Sequence, residues 1–290
     1  MMDEVTVQPG RVAALTALAL CAFAGNSLLC RLALSHTTID AASFTAVRIV
    51  SGALMLLLIV QLRAAPKHGA GSWPSALALF VYAAGFSFAY VRLTAGTGAL
   101  LLFGAVQATM ITVGVVRGER LSAVQSAGLL LAYAGLLFLV LPGLTSPPLL
   151  SAALMIAAGM AWGVYSLRGK GAGDPIAVTT GNFVRAVPMA LIVSAASLGH
   201  RSFDTTGVLC AVASGAIASG IGYAVWYTAL RDLRATTAAT VQLSVPVIAA
   251  AGGVVLLREP LTARLATAAF AILGGVALVV LTRVRRQVVE

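Results

Sequence analysis

The sequence predicts an all-α integral membrane protein, with ten transmembrane helices arranged as two inverted five-helix repeats. Three observations lead there. Sixty per cent of the 290 residues are hydrophobic and only 10% are charged. A soluble domain carries roughly half apolar and about a quarter charged residues, so this chain lacks the polar surface that water requires. The apolar residues fall into ten runs of helix-spanning length, and short motifs recur at a nearly constant separation.

About 20 apolar residues cross a bilayer as a helix. The first span, Val12–Leu34, follows the polar start MMDEVTVQPG. It is too long for the apolar core of a signal peptide and is read as a retained helix. Ala41–Leu62 begins after SHTTID, and RAAPKHGAGS separates it from Trp73–Arg92. Only Leu93, Thr94 and Ala95 lie before Gly96–Val116, which ends at RGER; Ser122–Leu141 then runs to PGLTSPP. Leu149–Leu167 is followed by RGKGAGD, Ile176–Leu198 by GHRSFD, and Thr206–Ala229 by RDLRAT. Thr236–Leu257 and Thr262–Thr282, joined by REPL, complete the set.

The net charge of +10 is spread over the ends of these runs and forms no stripe, which argues against nucleic acid. It fits the excess of Lys and Arg on cytoplasmic loops. With a cytoplasmic N-terminus, twelve basic residues fall inside (Arg11, Arg63, Lys67, Arg117, Arg120, Arg168, Lys170, Arg231, Arg234, Arg283, Arg285, Arg286). Five fall outside: Arg31, Arg92, Arg201, Arg258 and Arg264. Both termini are therefore expected in the cytoplasm.

RGERLSA at Arg117 matches LREPLTA at Leu257, and AGTGALL at Ala95 matches ATTAATV at Ala235, each 140 residues apart. The pairs Val47-Arg48 and Val184-Arg185 are 137 apart, and AGNSLL and WGVYSL align loosely at Gly25 and Gly163. A unit of five spans is odd, so the second copy, residues 146–290, must enter the membrane from the side opposite to the first, residues 1–145. Inverted repeats of this kind build many secondary transporters, with the substrate near the midplane between the halves.

The chain resembles the drug/metabolite transporter superfamily in its ten-helix EamA-type branch. The resemblance rests on Phe23-Ala24-Gly25-Asn26 and Ala161-Trp162-Gly163, on an arginine in the second helix of each half, and on Gly118-Glu119-Arg120-Leu121 with Glu259-Pro260-Leu261. It covers essentially the whole chain. It implies a bacterial inner-membrane exporter of amino acids, aromatic ones among them, or of other small metabolites. Pro246 stands where that pattern expects a proline in the ninth helix, but the matching first-half position is Val106.

Candidate binding residues are the few polar groups and the aromatic clusters inside spans. Arg48 and Arg185 sit roughly 10–14 Å below the start of their helices at about 1.5 Å per residue. Each either braces neighbouring helices or draws an anionic group into the cavity. Tyr82, Phe86 and Tyr90 recur every four residues on one face, as do Tyr223 and Tyr227 with Trp226 beside them; Trp162 and Tyr165 belong to the sixth span. Asn26, Gln107, Asn182, Gln242 and Ser244 complete the polar set, each a candidate for helix bonding or substrate contact. Tyr90 and Tyr227, near span ends, also suit the interfacial belt. Pro246 frees a backbone carbonyl in the ninth span and permits a bend there, either a gate or a passive kink, with Gln242 one turn before it. Gly128, Ala132 and Gly135 are read as a close-packing face, and Glu119 and Glu259 as helix-start carboxylates paired with Arg117, Arg120 or Arg258.

No Asp or Glu falls inside a span, and His36, His68 and His200 lie in connections. Cation extrusion through a buried carboxylate is therefore not expected, and facilitated or exchange transport is. Within transport, the alternative substrate is another metabolite, a nucleobase or a lipid-like molecule. No metal or cofactor is expected, and an intramembrane enzyme or a channel is the minor alternative. Cys21, Cys30 and Cys210 have no paired spacing and are read as buried, inert thiols.

Overall fold

The computed structural model describes residues 9–63, 71–169, 173–197, 199, 202–233 and 235–289. Lys67, His68, Lys170, His200, Arg201 and Arg234, used above, lie outside them. Ten helical segments among the described residues are long and apolar enough to cross a membrane.

Most of these helices start where a side chain can satisfy free N–H groups, because a bilayer core offers no water to do so. α1 spans Pro9–His36 and α2 spans Ala41–Leu62, capped by Asp40. α3 (Trp73–Tyr90) starts at Ser72 with Pro74 in its first turn, and α4 (Ala95–Val116) starts at Thr94. α5 (Ala123–Val140) opens with a reciprocal pair of bonds between Ser122 and Gln125. α6 covers Leu149–Gly169, and α7 covers Pro175–Ala196, capped by Asp174.

The last three spans differ from the expectation in detail. The eighth is α8 (Thr205–Val212), a π-helical stretch at Ala213–Ile221, and α9 (Gly222–Leu230). The ninth is broken into α10 (Ala235–Gln242) and α11 (Ser244–Leu257), and the tenth is α12 (Ala263–Val289). The break at Leu243 follows from Pro246, which has no N–H for the carbonyl of Gln242 one turn back. Leu243 bonds instead to Thr240 O at 3.1 Å, a tighter turn. α4, with Val106 in place of a proline, is continuous.

Helix pairings across the chain come in corresponding sets. α3 and α4 pack on α6, while the eighth span and α11 pack on α1. α2 packs on α7 and on the π-helical stretch, α5 on α12, and α4 on α11. Small residues set the distances, because van der Waals packing holds helices together in lipid. A side chain at Gly128 would meet Gly275 O at 2.7 Å, and one at Gly135 would meet Ile272 at 2.8 Å, so the small-residue face of α5 is the α12 contact. One at Gly215 would collide with the Arg48 carbonyl, so the π-helical stretch lies directly on α2.

Large apolar side chains such as Leu54, Leu130, Ile192, Val255 and Phe270 point outward, as lipid-facing residues do. Cys21 joins them: Cys30 and Cys210 are buried, but Cys21 is exposed. α1 packs through only part of its circumference, so the reading of all three thiols as buried is corrected at this position.

Gly118 (φ 95°) and Arg258 (φ 54°) follow the fourth and ninth spans in the same left-handed conformation. Arginine is strained there and glycine is not. Arg258→Gly is therefore expected to raise stability by about 0.5–1 kcal/mol, read as a higher melting temperature in detergent.

Asp40 ties the start of α2 to the segment before α8, accepting from Ser43 N at 2.9 Å and Ser202 N at 3.2 Å. Partial burial alone would raise its pKa; hydrogen bonds from Ser43 and from the backbone of Ser202 and Ala42 outweigh this and hold the carboxyl below its ordinary value. A depressed carboxyl stabilises above the unfolded pKa of about 3.9, and the effect disappears as pH falls through the lower folded pKa. Asp40→Ala should cost about 1 kcal/mol at neutral pH, and thermal melts of the two proteins should begin to approach each other near about pH 4 and converge only below the lowered folded pKa.

Candidate functional site

The bundle encloses a cavity of about 470 Å³, within the usual range for small-molecule sites. α1 contributes Phe23, Asn26 and Ser27; α3 contributes Tyr82 and Phe86; α6 contributes Trp162 and Tyr165. Ser219 comes from the π-helical stretch, Tyr223, Trp226 and Tyr227 from α9, and Gln242 from the end of α10. The lining reaches helix ends at Gly169, Pro175 and Arg231 and stops in mid-helix at Ser27, Phe86 and Ser219. One end of the cavity is thus a mouth and the other is blind.

Trp162 is the hub of the aromatic wall. Its ring centroid is 4.7 Å from Tyr82, 5.2 Å from Tyr165 and 5.4 Å from Tyr223. Phe23 extends the wall, 5.9 Å from Tyr223 and 5.8 Å from Trp226. Offset and edge contacts of this kind stiffen the surface that a ligand would meet.

Two polar chains run behind the rings. At the blind end, Arg48 Nη2 donates to Tyr82 Oη at 2.9 Å and Asn26 Nδ2 donates to the same oxygen at 3.3 Å. Ser214 Oγ donates to Asn26 Oδ1 at 2.6 Å. Nearer the mouth, Asn182 accepts from Ser72 N at 2.8 Å and donates to Tyr165 Oη at 3.4 Å. Tyr165 donates to Thr179, and Thr179 to Tyr227.

Of the residues expected from sequence, Asn26, Tyr82, Phe86, Trp162, Tyr165, Tyr223, Trp226, Tyr227 and Gln242 line the cavity. The others lie elsewhere. Arg48 is only 2% exposed and sits behind the wall, its guanidinium 5.2 Å from the Tyr82 ring centroid and 4.7 Å from that of Phe86. Arg185 is not its equivalent: it is half-buried, off the wall, and donates to Gly181 O on its own helix at 2.9 Å.

Tyr90 is neither a cavity nor a belt residue. It is fully buried, donates to Ala95 O at 3.2 Å, and fills the space left by Gly98. Asn182 reaches the cavity only through Tyr165. Gln107 is buried but off the wall, because α4 turns Leu102, Phe103, Val106 and Met110 toward the cavity, and the next residue points about 100° away. Ser244 donates back to Val241 O at 2.6 Å. Pro246 is buried outside the lining, and its effect falls on Gln242.

Sequence reasoning missed Phe23, Ser27, Thr179, Ser214 and Ser219. The Ser-Gly pairs at 214–215 and 219–220 were the available signal, since small residues permit the wide turn that presents those hydroxyls.

At the blind side of the bundle Arg31 and Glu259 form an ion pair, Nε to Oε1 at 2.8 Å. Arg31 Nη1 also donates to the carbonyls of Tyr90 and Val91 at the end of α3. Glu259 Oε2 accepts from Ala95 N at the start of α4 at 2.7 Å. Glu259 therefore caps α4 and pairs with Arg31, not with Arg258 or its own helix as expected.

The profile of the EamA-like transporter family matches residues 149–281. An uncharacterized protein of Pseudomonas aeruginosa is 56% identical over 281 residues, 97% of this chain and 98% of its own length. The threonine/homoserine exporter RhtA of Salmonella typhimurium is 34% identical over 140 residues, 46% of each chain. A solved crystal structure at 19% identity superimposes with a TM-score of 0.65 over 95% of this chain and 99% of its own, and so shares the fold. With its ten membrane-crossing helices and a relative alike along nearly its whole length, the chain belongs to the EamA-like transporter family of the drug/metabolite transporter superfamily.

Proposed function

We propose that the protein exports amino acids or closely related small metabolites across the bacterial inner membrane, by alternating access between the inverted repeats 1–145 and 146–290. The observation that carries this reading is a cavity within the membrane-crossing part of the bundle, open at one end and blind at the other. Its aromatic wall suits an apolar substrate body, and its hydroxyls and amides suit a polar head. The partial match to an amino-acid exporter supports the substrate class.

The repeat is supported by geometry as well as by sequence. Glu119 N bonds to Gly114 O and Glu259 N to Gly253 O, each at 3.0 Å, at positions 139 and 140 residues apart. With both termini cytoplasmic, the mouth faces the cytoplasm, where an exporter loads. Arg31 and Glu259 then hold the outer side shut, joining α1, the α3–α4 turn and the link between α11 and α12.

Two measurements test this. Proteoliposomes loaded with labelled threonine, homoserine or phenylalanine should release at least one of them faster than empty-lipid controls, with saturable kinetics. Failure with every amino acid removes the substrate class. In a background lacking native cysteines, Leu144→Cys should react with an impermeant thiol reagent from outside and Arg120→Cys only from the cytoplasm. An identical pattern at both would remove the topology.

Loosening the outer closure should shift the balance between states. Glu259→Gln is expected to raise labelling of Ser219→Cys from the outside severalfold. Unchanged labelling would make the ion pair a brace only.

A further inference from the structure

Arg48 poses an electrostatic problem. It is a cation at 2% exposure inside a bundle surrounded by lipid, and among the described residues no carboxylate pairs with it. Its Nη1 has no hydrogen-bond partner among the described residues. The Tyr82 and Phe86 rings offset part of the cost of burial, but a buried charge without a counter-ion is strongly unfavourable. Among the described residues no Asp or Glu lines the neighbouring cavity.

The bond to Tyr82 carries that charge to the cavity wall. The phenolic oxygen accepts from both Arg48 and Asn26, which occupies its two lone pairs. Its single O–H is then left to donate, and Tyr82 lines the cavity. Donation from the guanidinium polarises that hydroxyl and strengthens it as a donor. On the same wall, Ser219 Oγ is buried without a partner. Ser27 Oγ on the same wall is likewise without one, whereas Thr45, Ser87, Thr109 and Thr180 each bond back to the carbonyl four residues earlier. Ser219 lies in the π-helical stretch, where the wide turn alters that geometry.

We propose that the blind end of the cavity is an anion subsite that takes the carboxylate of the substrate. The Tyr82 and Ser219 hydroxyls donate to the carboxylate. Arg48 does not touch it; Arg48 is a positioning residue that supplies positive potential through the Tyr82 oxygen, while Asn26, held by Ser214, fixes the direction of the Tyr82 proton. The substrate itself is the missing counter-ion. This deepens the export reading above and rests on the same cavity, but it concerns binding chemistry and is tested without transport.

The probes are benzoate and benzamide, alike in shape and different in charge, titrated into purified protein in nanodiscs. Tryptophan emission reports occupancy, since Trp162 and Trp226 line the cavity. Benzoate should bind at least tenfold more tightly than benzamide. Ser219→Ala removes a hydroxyl that has no protein partner, so it should fold normally and weaken benzoate severalfold while leaving benzamide unchanged. Tyr82→Phe should do the same more strongly. Arg48→Gln separates a positioning role from a bracing one: loss of potential brings the benzoate-to-benzamide ratio toward one, whereas loose packing weakens both alike.

Equal affinity for the two probes in the wild type, or a ratio untouched by Ser219→Ala, overturns the subsite. Preferential benzoate binding in a protein that releases no amino acid from vesicles leaves the subsite standing and removes only the amino-acid reading.

Discussion

A bilayer core supplies no water to an unpaired amide or carbonyl, and the architecture follows from that constraint. Regular helix is the default for every span, and departures are tolerated only where the freed backbone meets protein or a cavity. Among the described residues two spans are interrupted, one by a π-helical stretch and one by a break, and both interruptions fall at the cavity, whereas Pro188 sits inside α7 without breaking it. The π-helical stretch at Ala213–Ile221 brings Ser214 and Ser219 to the blind end, and the break at Leu243 brings Gln242 to the wall. Irregularity here is local and coincides with the polar groups of the site, as wide helical turns often do.

The same scarcity of water governs the charges. Arg185 satisfies itself in part against its own helix and stays off the wall. Arg48 cannot, because α7 and the π-helical stretch close over α2, with Gly215 against the Arg48 carbonyl. Its guanidinium packs against the Tyr82 and Phe86 rings and donates to the Tyr82 hydroxyl. The result is a cation whose effect is exported through a hydrogen bond to a neutral group. Tyr82 thereby becomes the contact surface of a charge that lies behind it. A neutral hydroxyl at the wall also leaves the cavity accessible to apolar parts of a ligand, which a bare guanidinium with its hydration demand would oppose.

The N-terminal and C-terminal five spans correspond in their pairings and turn geometry but differ at the cavity. Gly118 and Arg258 occupy equivalent left-handed turns, and Glu119 and Glu259 fold back onto Gly114 and Gly253. By contrast α3 and α4 are continuous, while the eighth and ninth spans are not. The second half therefore holds the more deformable backbone and the first half the more rigid wall. The Arg31–Glu259 pair joins α1 to the link between α11 and α12, and Glu259 also holds the start of α4.

Composition and the spacing of apolar runs determined the lipid environment, the number of spans and nearly all of their boundaries, because hydrophobic burial and helix length act on contiguous residues. They also indicated the break near Pro246, since a missing N–H is a property of one residue. Aromatic clusters at helical spacing pointed to Tyr82, Phe86, Trp162, Tyr165, Tyr223 and Trp226. The same spacing brought in Tyr90 wrongly, because only contact with α4 at Gly98 decides that its ring is core. Which arginine matters, which partner Glu259 takes, and that Ser219 is left without one are set by neighbours far along the chain. Such residues are matched by packing across helices, and no pattern of nearest neighbours in sequence encodes that match.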